Sequence, residues 1–168
     1  ERMGVRTGLV LVPLGFLNDL HEPPIFLGTR RPMVEQQIIP TTWRELGAGV
    51  FGESGPLSWR AYLTTSLNSA GFEGENIREG RSGGSQAAAE DFAITGRVDW
   101  APLGGLTVGA SLFSGNTGQG AGFDGGLTLW DAHAEYRWRG LQARALYAST
   151  SIDDAAAINA QNGLTGDQ

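Results

Sequence analysis

The chain lacks cysteine and lysine altogether, and it has no long hydrophobic run. Without cysteine, disulfide scaffolds, thiol catalysis and cysteine-ligated zinc or iron–sulfur centres are excluded. The longest nearly apolar stretch, GLVLVPLGFL at 8–17, is too short for a transmembrane helix, which needs about 20 residues. All 12 basic residues are arginine, the formal net charge is −6 and no basic stripe occurs, so we expect no nucleic-acid partner.

What the chain does have is strict alternation of apolar and polar residues. In TLWDAHAEYRW, residues 128–138, the even positions are mostly apolar or aromatic and the odd positions from 131 on are ionisable. Such alternation is typical of strands whose two faces meet different environments. Together with two less regular segments near the N-terminus, it predicts seven antiparallel strands near 4–12, 41–53, 57–68, 92–100, 106–113, 128–138 and 141–149.

The predicted connections alternate between short turns and long loops at 13–40, 69–91, 114–127 and 150–168. In an up-and-down meander, this order places every short turn at one end of the sheet and every long loop at the other. The facing of the second strand is ambiguous. If Trp43 and Phe51 point outward, Glu45 does so too and needs a rim or a bulge.

The predicted strands are about 10 residues long, where soluble strands average about 5–6 and membrane-spanning strands need about 9–11. Four tryptophans on the apolar face would form lipid-facing aromatic girdles: Trp59, Trp100 and Trp138 near the short turns, and Trp130 eight residues from Trp138. The pattern predicts an all-β, antiparallel up-and-down transmembrane β-barrel. A soluble β-sandwich that serves in binding or adhesion is the alternative.

The stretch 8–52 contains VPLGFL, HEPP and PTTWRE, and it is similar to bacterial outer-membrane porins of the phosphate-selective porin O and P type. Segments 57–68, 92–115 and 129–148 resemble the same porins in order and spacing. The resemblance implies a homotrimer of water-filled barrels in the lipid of the bacterial outer membrane, each with about sixteen strands. Residues 1–168 would then form one partial barrel domain with about seven of these strands, a piece of a longer protein.

The resemblance also implies passive diffusion of small hydrophilic solutes or ions, without catalysis or a cofactor. Phosphate-selective members have a basic ladder with prominent lysines, which this chain lacks, so anions such as phosphate are only one candidate solute. With the apolar face toward lipid, the opposite face would line the pore. Its residues are Arg60, Tyr62, Arg97, Asp99, Asp131, His133, Glu135, Arg137 and Arg144. Alternatively, these charges only pair with each other and keep the lumen wet.

The loop 69–91 is predicted to fold into the pore as a constriction, with Arg78, Glu79 and Arg81 facing the solute. Its alternative role is that of an exposed surface loop.

Two groups of residues could suggest chemistry instead of transport. Asp131, His133 and Glu135 share one strand face, as a metal site or an outer-membrane hydrolase would require. However, the chain has only two histidines and no Gly-x-Ser-x-Gly motif, so we predict neither catalytic residues nor a metal site. His21 and Glu22 precede two prolines, which favour a bracing role for that extended segment.

Overall fold

The structure, a computed structural model, describes residues 2–18, 27–28, 30–74 and 76–164. Seven strands form one antiparallel sheet in which every strand pairs with its neighbours in chain order. They are β1 (Arg2–Leu11), β2 (Arg44–Ser54), β3 (Leu57–Thr65), β4 (Phe92–Leu103), β5 (Leu106–Gly115), β6 (Leu127–Trp138) and β7 (Leu141–Ile152). The predicted all-β, up-and-down antiparallel meander is confirmed. Within the described residues β1 and β7 do not pair, so the sheet is open and not closed into a barrel.

The longer connections contain short helices that the alternation of the strands does not reveal. A π-helical turn covers Val34–Ile38, and 3-10 turns cover Ser69–Gly71 and Arg78–Gly80. The prediction of a loop over 150–168 is wrong for part of this range, because β7 continues to Ile152 and α1 covers Ala155–Gln161. The sequence AAAINAQ starts with three alanines, the best helix formers. None of the helices in the described part of the chain has the length and apolar character required to cross a membrane.

The short turns lie at one end of the sheet. Between β6 and β7, Arg139 and Gly140 both have positive φ, at 44° and 86°, as type I′ hairpin turns require. The turns between β2 and β3 and between β4 and β5 also contain glycines with positive φ. The long connections therefore all leave the sheet at its opposite end, as the predicted meander requires.

The two faces of the sheet differ in composition. The outer face, defined by the side chains that point away from the long connections, exposes large apolar groups on every strand. These include Val5, Leu9, Leu46, Val50, Leu63, Ile94, Val98, Leu112, Trp130 and Tyr147. The inner face is polar in its middle, where Tyr62, Thr95, Ser111, Asp131 and His133 are buried.

At the end near the long connections, the inner face is covered by a hydrophobic core. Trp43 packs on Phe113 with ring centroids 4.4 Å apart. The core combines strand residues with loop residues: Val12, Leu14, Ile39, Trp43, Leu67, Phe72, Ile77, Ala93, Phe113, Leu127, Leu129, Ala148 and Ile158. The long connections therefore fold back over the sheet.

The facing of β2 follows from this core. Trp43 and Glu45 are buried on the inner side, whereas Leu46 and Val50 are exposed on the outer face. The interpretation in which Trp43, Phe51 and Glu45 point outward is therefore wrong. No rim or bulge is needed, because Glu45 accepts hydrogen bonds from Thr65 Oγ1 at 3.1 Å and from Trp43 Nε1 at 3.2 Å.

Candidate functional site

Four ionisable residues of β4 and β6 form a continuous chain of contacts on the inner face, which we call the buried cluster: Arg97, Asp99, His133 and Asp131. Arg97 binds Asp99 through two nitrogens, at 2.7 Å and 2.9 Å. His133 Nε2 lies 2.8 Å from Asp99 Oδ1, and His133 Nδ1 lies 2.6 Å from Asp131 Oδ1. The His133 side chain is 0% exposed. Each charge of the buried cluster therefore has a partner of opposite sign or a hydrogen bond.

The contact between β4 and β6 crosses the intervening strand β5 at a glycine. Gly109 is opposite Asp99 on one side and opposite His133 on the other. A Cβ atom at position 109 would lie 2.5 Å from His133 Nε2 and 2.6 Å from Asp99 Oδ1. The missing side chain thus provides the space in which the imidazole and the carboxylate meet.

The buried cluster also holds the start of the first long connection against the sheet. Gly15 donates its N–H to Asp131 Oδ2 at 2.9 Å, and its carbonyl accepts a hydrogen bond from Arg97 Nη1. Ser111 Oγ donates to the same Asp131 oxygen at 2.5 Å. The Phe16 ring meets the His133 ring edge-on, with centroids 5.2 Å apart. We call residues 12–18 the inner segment.

A second carboxylate, from the helical turn Val34–Ile38, also binds the inner segment. Glu35 Oε1 accepts the N–H of Phe16 at 2.6 Å and that of Leu17 at 2.7 Å. Burial raises the pKa of the Glu35 carboxyl, and the two amide hydrogen bonds partly oppose that increase. Asn18 donates to the carbonyls of Val12 and Trp43, at 2.6 Å and 2.8 Å. The inner segment is therefore held by Asp131 and Arg97 of the sheet and by Glu35 of the following helical turn.

A second group, the rim cluster, lies closer to the short turns and comprises Glu135, Arg137 and Arg144. Glu135 Oε1 accepts from Arg137 Nε at 3.0 Å and from Arg144 Nε at 3.0 Å. The Arg137 side chain is 61% exposed, whereas those of Glu135 and Arg144 are largely covered. Arg144 also lies over the Phe16 ring, 5.4 Å from its centroid. The rim cluster is thus partly open to solvent.

The remaining predicted lining residues are on β3. Tyr62 is buried, and its hydroxyl accepts a hydrogen bond from Arg6 Nη1 at 3.3 Å. Arg60 is opposite Arg97 in the register of β3 and β4. All nine residues that we predicted to line a pore therefore share the inner face, and seven of them belong to the buried and rim clusters.

The four predicted girdle tryptophans all lie on the outer face. Trp100, Trp130 and Trp138 are exposed, and Trp59 is half-buried beside Gly52. Trp130 packs against Tyr147 of the neighbouring strand with ring centroids 5.5 Å apart. Arg139 stacks over Trp138 at 5.0 Å in the adjacent turn.

The predicted constriction loop 69–91 is anchored to the inner side by apolar and hydroxyl groups. Phe72 and Ile77 belong to the core, and Ser82 donates its N–H to Glu45 at 3.1 Å. Arg78 and Glu79 lie at the surface and pair with each other at 3.6 Å.

Arg81 of the same loop donates to the carbonyls of Arg78 and Thr41, and burial lowers its pKa. It is the inner segment, whose VPLGFL sequence we used only for the porin resemblance, that lies against the middle of the inner face. His21 and Glu22 are outside the described residues.

The arrangement of the buried cluster disfavours hydrolytic chemistry. Both ring nitrogens of His133 are engaged by carboxylates, so neither is available to accept a proton from a nucleophile. Ser111, the nearby hydroxyl, donates to Asp131 instead of to the imidazole. Over the part of the chain that the structure describes, no three His, Asp or Glu side chains are placed to hold a metal ion.

Fold and site together define a class: a seven-stranded antiparallel meander with an apolar outer face and a polar inner face covered by its own long connections. Comparisons with known proteins add one relative. A protein of Aquifex aeolicus strain VF5, described as uncharacterized, is 36% identical over 163 residues, which cover 94% of this chain and 37% of that protein. The chain thus spans little more than a third of the relative's length. No family model matches the chain, and no solved structure matches it.

Proposed function

We propose that this chain forms part of an outer-membrane porin, a water-filled channel through which small hydrophilic solutes or ions diffuse passively. The observation that carries this proposal is the outer face. It exposes large apolar side chains on all seven neighbouring strands, from Val5 on β1 to Tyr147 on β7. Soluble monomers rarely expose contiguous apolar surfaces larger than a few hundred Å². A lipid bilayer is the environment that such a face fits.

Strand length and aromatic placement support the same proposal. The strands have 9 to 12 residues, the length that a tilted strand needs to cross the hydrocarbon core. Trp130 and Trp138 are eight residues apart on the outer face of β6, about 26 Å at ~3.3 Å per residue. Tryptophans at two heights suit the two interfaces of a membrane.

The inner face suits the wall of an aqueous channel. Paired charges of both signs, as in the buried and rim clusters, present a polar surface without a strongly charged binding site. We propose that the inner segment narrows this channel, since Gly15 is tied to both Arg97 and Asp131 across the middle of the sheet. Arg78 and Glu79 pair at the surface and would face solvent near the mouth.

An open sheet in a membrane requires further strands, because unpaired backbone groups at its edges are costly in lipid. We therefore propose that β1 to β7 belong to a larger barrel, in a homotrimer as the sequence resemblance implies. The Aquifex relative extends well beyond the matched region, which leaves room for such strands in that protein.

The test is conductance of the full-length protein that contains this chain, reconstituted in a planar lipid bilayer. We expect stepwise current increases, and the reversal potential in a salt gradient gives the ion preference. A protein that stays folded and monomeric in buffer without detergent, and that produces no current, would contradict the proposal. That result would favour the β-sandwich module, for which the outer face would need a covering sheet.

A further inference from the structure

A groove of about 1320 Å³ lies above the inner face of β7, beside the end of the buried cluster where Asp131 is opposite Ala148. Its floor comes from Ala148 and Thr150. Its walls come from three different connections: the helical turn at 34–38, the loop around Phe72 to Arg78, and α1. The groove is larger than the usual range of about 300–1,000 Å³ for small-molecule sites. It can therefore admit a hydrated solute or one larger than a single sugar ring.

The described lining of the groove is nearly uncharged. Of the described residues that line it, only Glu73 and Arg78 are ionisable, and their charges are opposite. Arg78 is already paired with Glu79 at 3.6 Å. An anion site needs several converging cations or backbone N–H donors, as in bidentate arginine sites. The groove offers one arginine that is already neutralised, so it is poorly suited to phosphate.

Its polar groups are amides and hydroxyls. Gln36, Gln37, Asn76 and Asn159 line the walls, and Thr150 lies in the floor. The Thr150 hydroxyl is buried and has no hydrogen-bond partner among the described residues. Because that oxygen is covered, the wall amides are the polar groups that a ligand in the groove can reach. Amide and hydroxyl groups both donate and accept, which matches the hydroxyl groups of a sugar.

Apolar side chains complete the lining. Phe72, Ile77 and Ile158 belong to the hydrophobic core and also border the groove. A sugar ring presents C–H groups as well as hydroxyls, and the former suit such apolar borders. Amides and apolar edges, with almost no net charge among the described lining residues, are the chemistry expected of a site for neutral polyols.

We infer that this groove binds neutral, polyhydroxylated solutes of the size of a disaccharide, and that these rather than anions are the solutes of the channel. The binding part can be tested alone, whereas the transport part rests on the proposed function. Two measurements on the full-length protein keep them apart. Calorimetry in detergent measures binding of maltose and, separately, of inorganic phosphate. Planar-bilayer recording measures whether each compound reduces the ion current.

We expect maltose to bind saturably and to reduce the current, and phosphate to do neither. Gln37→Leu should weaken maltose binding by about fivefold, the effect of one lost hydrogen bond. The matched control is Gln86→Leu, an exposed glutamine outside the groove lining, which should leave binding unchanged.

The outcomes separate the two proposals. Current without maltose binding, or with saturable block by phosphate, overturns the groove inference and leaves the porin proposal standing. Maltose binding that is weakened by Gln37→Leu, in a protein that carries no current, supports the groove as a binding site and removes the channel. Equal maltose affinity in Gln37→Leu and Gln86→Leu overturns the assignment of the site to this groove.

Discussion

The buried cluster and the rim cluster lie on the same inner face, and Glu135 of the rim follows His133 of the buried cluster by only two residues on β6. Both contain carboxylates paired with arginines at 2.7–3.0 Å. They differ in what covers them. The inner segment lies over the buried cluster, whereas Arg137 at the rim reaches into solvent.

The difference teaches that strand alternation decides which face a charge occupies, while a loop decides how much that charge contributes to stability. Removing one partner from a covered ion pair leaves the other charge buried and alone, which is strongly destabilising. Removing a partner from an exposed pair changes little, because water takes its place. Substitutions in the two clusters, made in the full-length protein refolded in detergent and followed by denaturant titration, test this contrast.

The largest effect is expected for Asp131→Ala. The change leaves His133 Nδ1, the Gly15 N–H and Ser111 Oγ without their shared acceptor. We expect the free energy of unfolding to fall by about 3–5 kcal/mol, measured by guanidinium titration. Asp153→Ala, at an exposed position after β7, is the control and should change it by less than about 0.5 kcal/mol. Similar losses of stability in Asp131→Ala and Asp153→Ala would show that the buried cluster contributes no more to stability than an exposed residue.

Gly109→Ala should come next. Its new Cβ atom would lie 2.5 Å from His133 Nε2, where no real Cβ atom fits, so the Asp99–His133 contact must open. Overpacking of this kind costs about 1–3 kcal/mol. Gly104→Ala is the matched control in the turn before β5, since a Cβ atom there meets nothing within 4 Å. Equal stability of the two variants would argue against the role of Gly109 in providing space for the contact between Asp99 and His133.

A pH-dependent effect is expected at Glu35. Because burial raises its pKa, the folded state holds the proton more tightly than the unfolded state does. Its contribution to stability is complete below the unfolded-state pKa of about 4.3 and is lost as pH rises through the folded-state value. Arg31 and Asp131, the charges near it, oppose and reinforce the shift, respectively.

Glu35→Gln keeps an acceptor oxygen for the Phe16 and Leu17 amides but carries no proton to lose. Its free energy of unfolding should therefore increase relative to that of the wild-type chain as pH rises from 4 to 8. Denaturant titrations at each pH give this difference, and Glu79→Gln, a 59% exposed glutamate, serves as the control. A difference that is constant across this range would contradict the expectation.

The smallest effect is expected for Arg137→Ala. Glu135 keeps its contacts with Arg144 and Gln142, and the lost partner is mostly in water. The change in the free energy of unfolding should stay within about 0.5 kcal/mol. A loss of stability comparable to that of Asp131→Ala would mean that the rim cluster is as covered as the buried cluster. It would contradict the contrast between the two clusters.

The sequence predicts the sheet well because alternation is a local signal. The alternation predicts seven strands and their order. On β3 to β7 it also predicts which residues share a face, since consecutive residues such as Trp130 and Asp131 point to opposite faces. Contacts that depend on loops cannot be read in this way. Nothing local indicates that Glu35 binds the amides of Phe16 and Leu17, or that Trp43 turns inward to meet Phe113. The role of Gly109 can be recognised only once the register of β5 with both β4 and β6 is known.

The hydrogen bond from Gly15 to Asp131 has a consequence for the order of folding, because it joins residues 116 positions apart in the chain. Every strand pair is a hairpin between neighbours, with contacts that can form early and independently. The inner segment, by contrast, has no complete docking surface until β4, β5 and β6 have assembled. We therefore expect the sheet to form first as an uncovered ribbon and the inner segment to dock afterwards, so that hydrogen exchange at Gly15 becomes protected later than exchange in the strands.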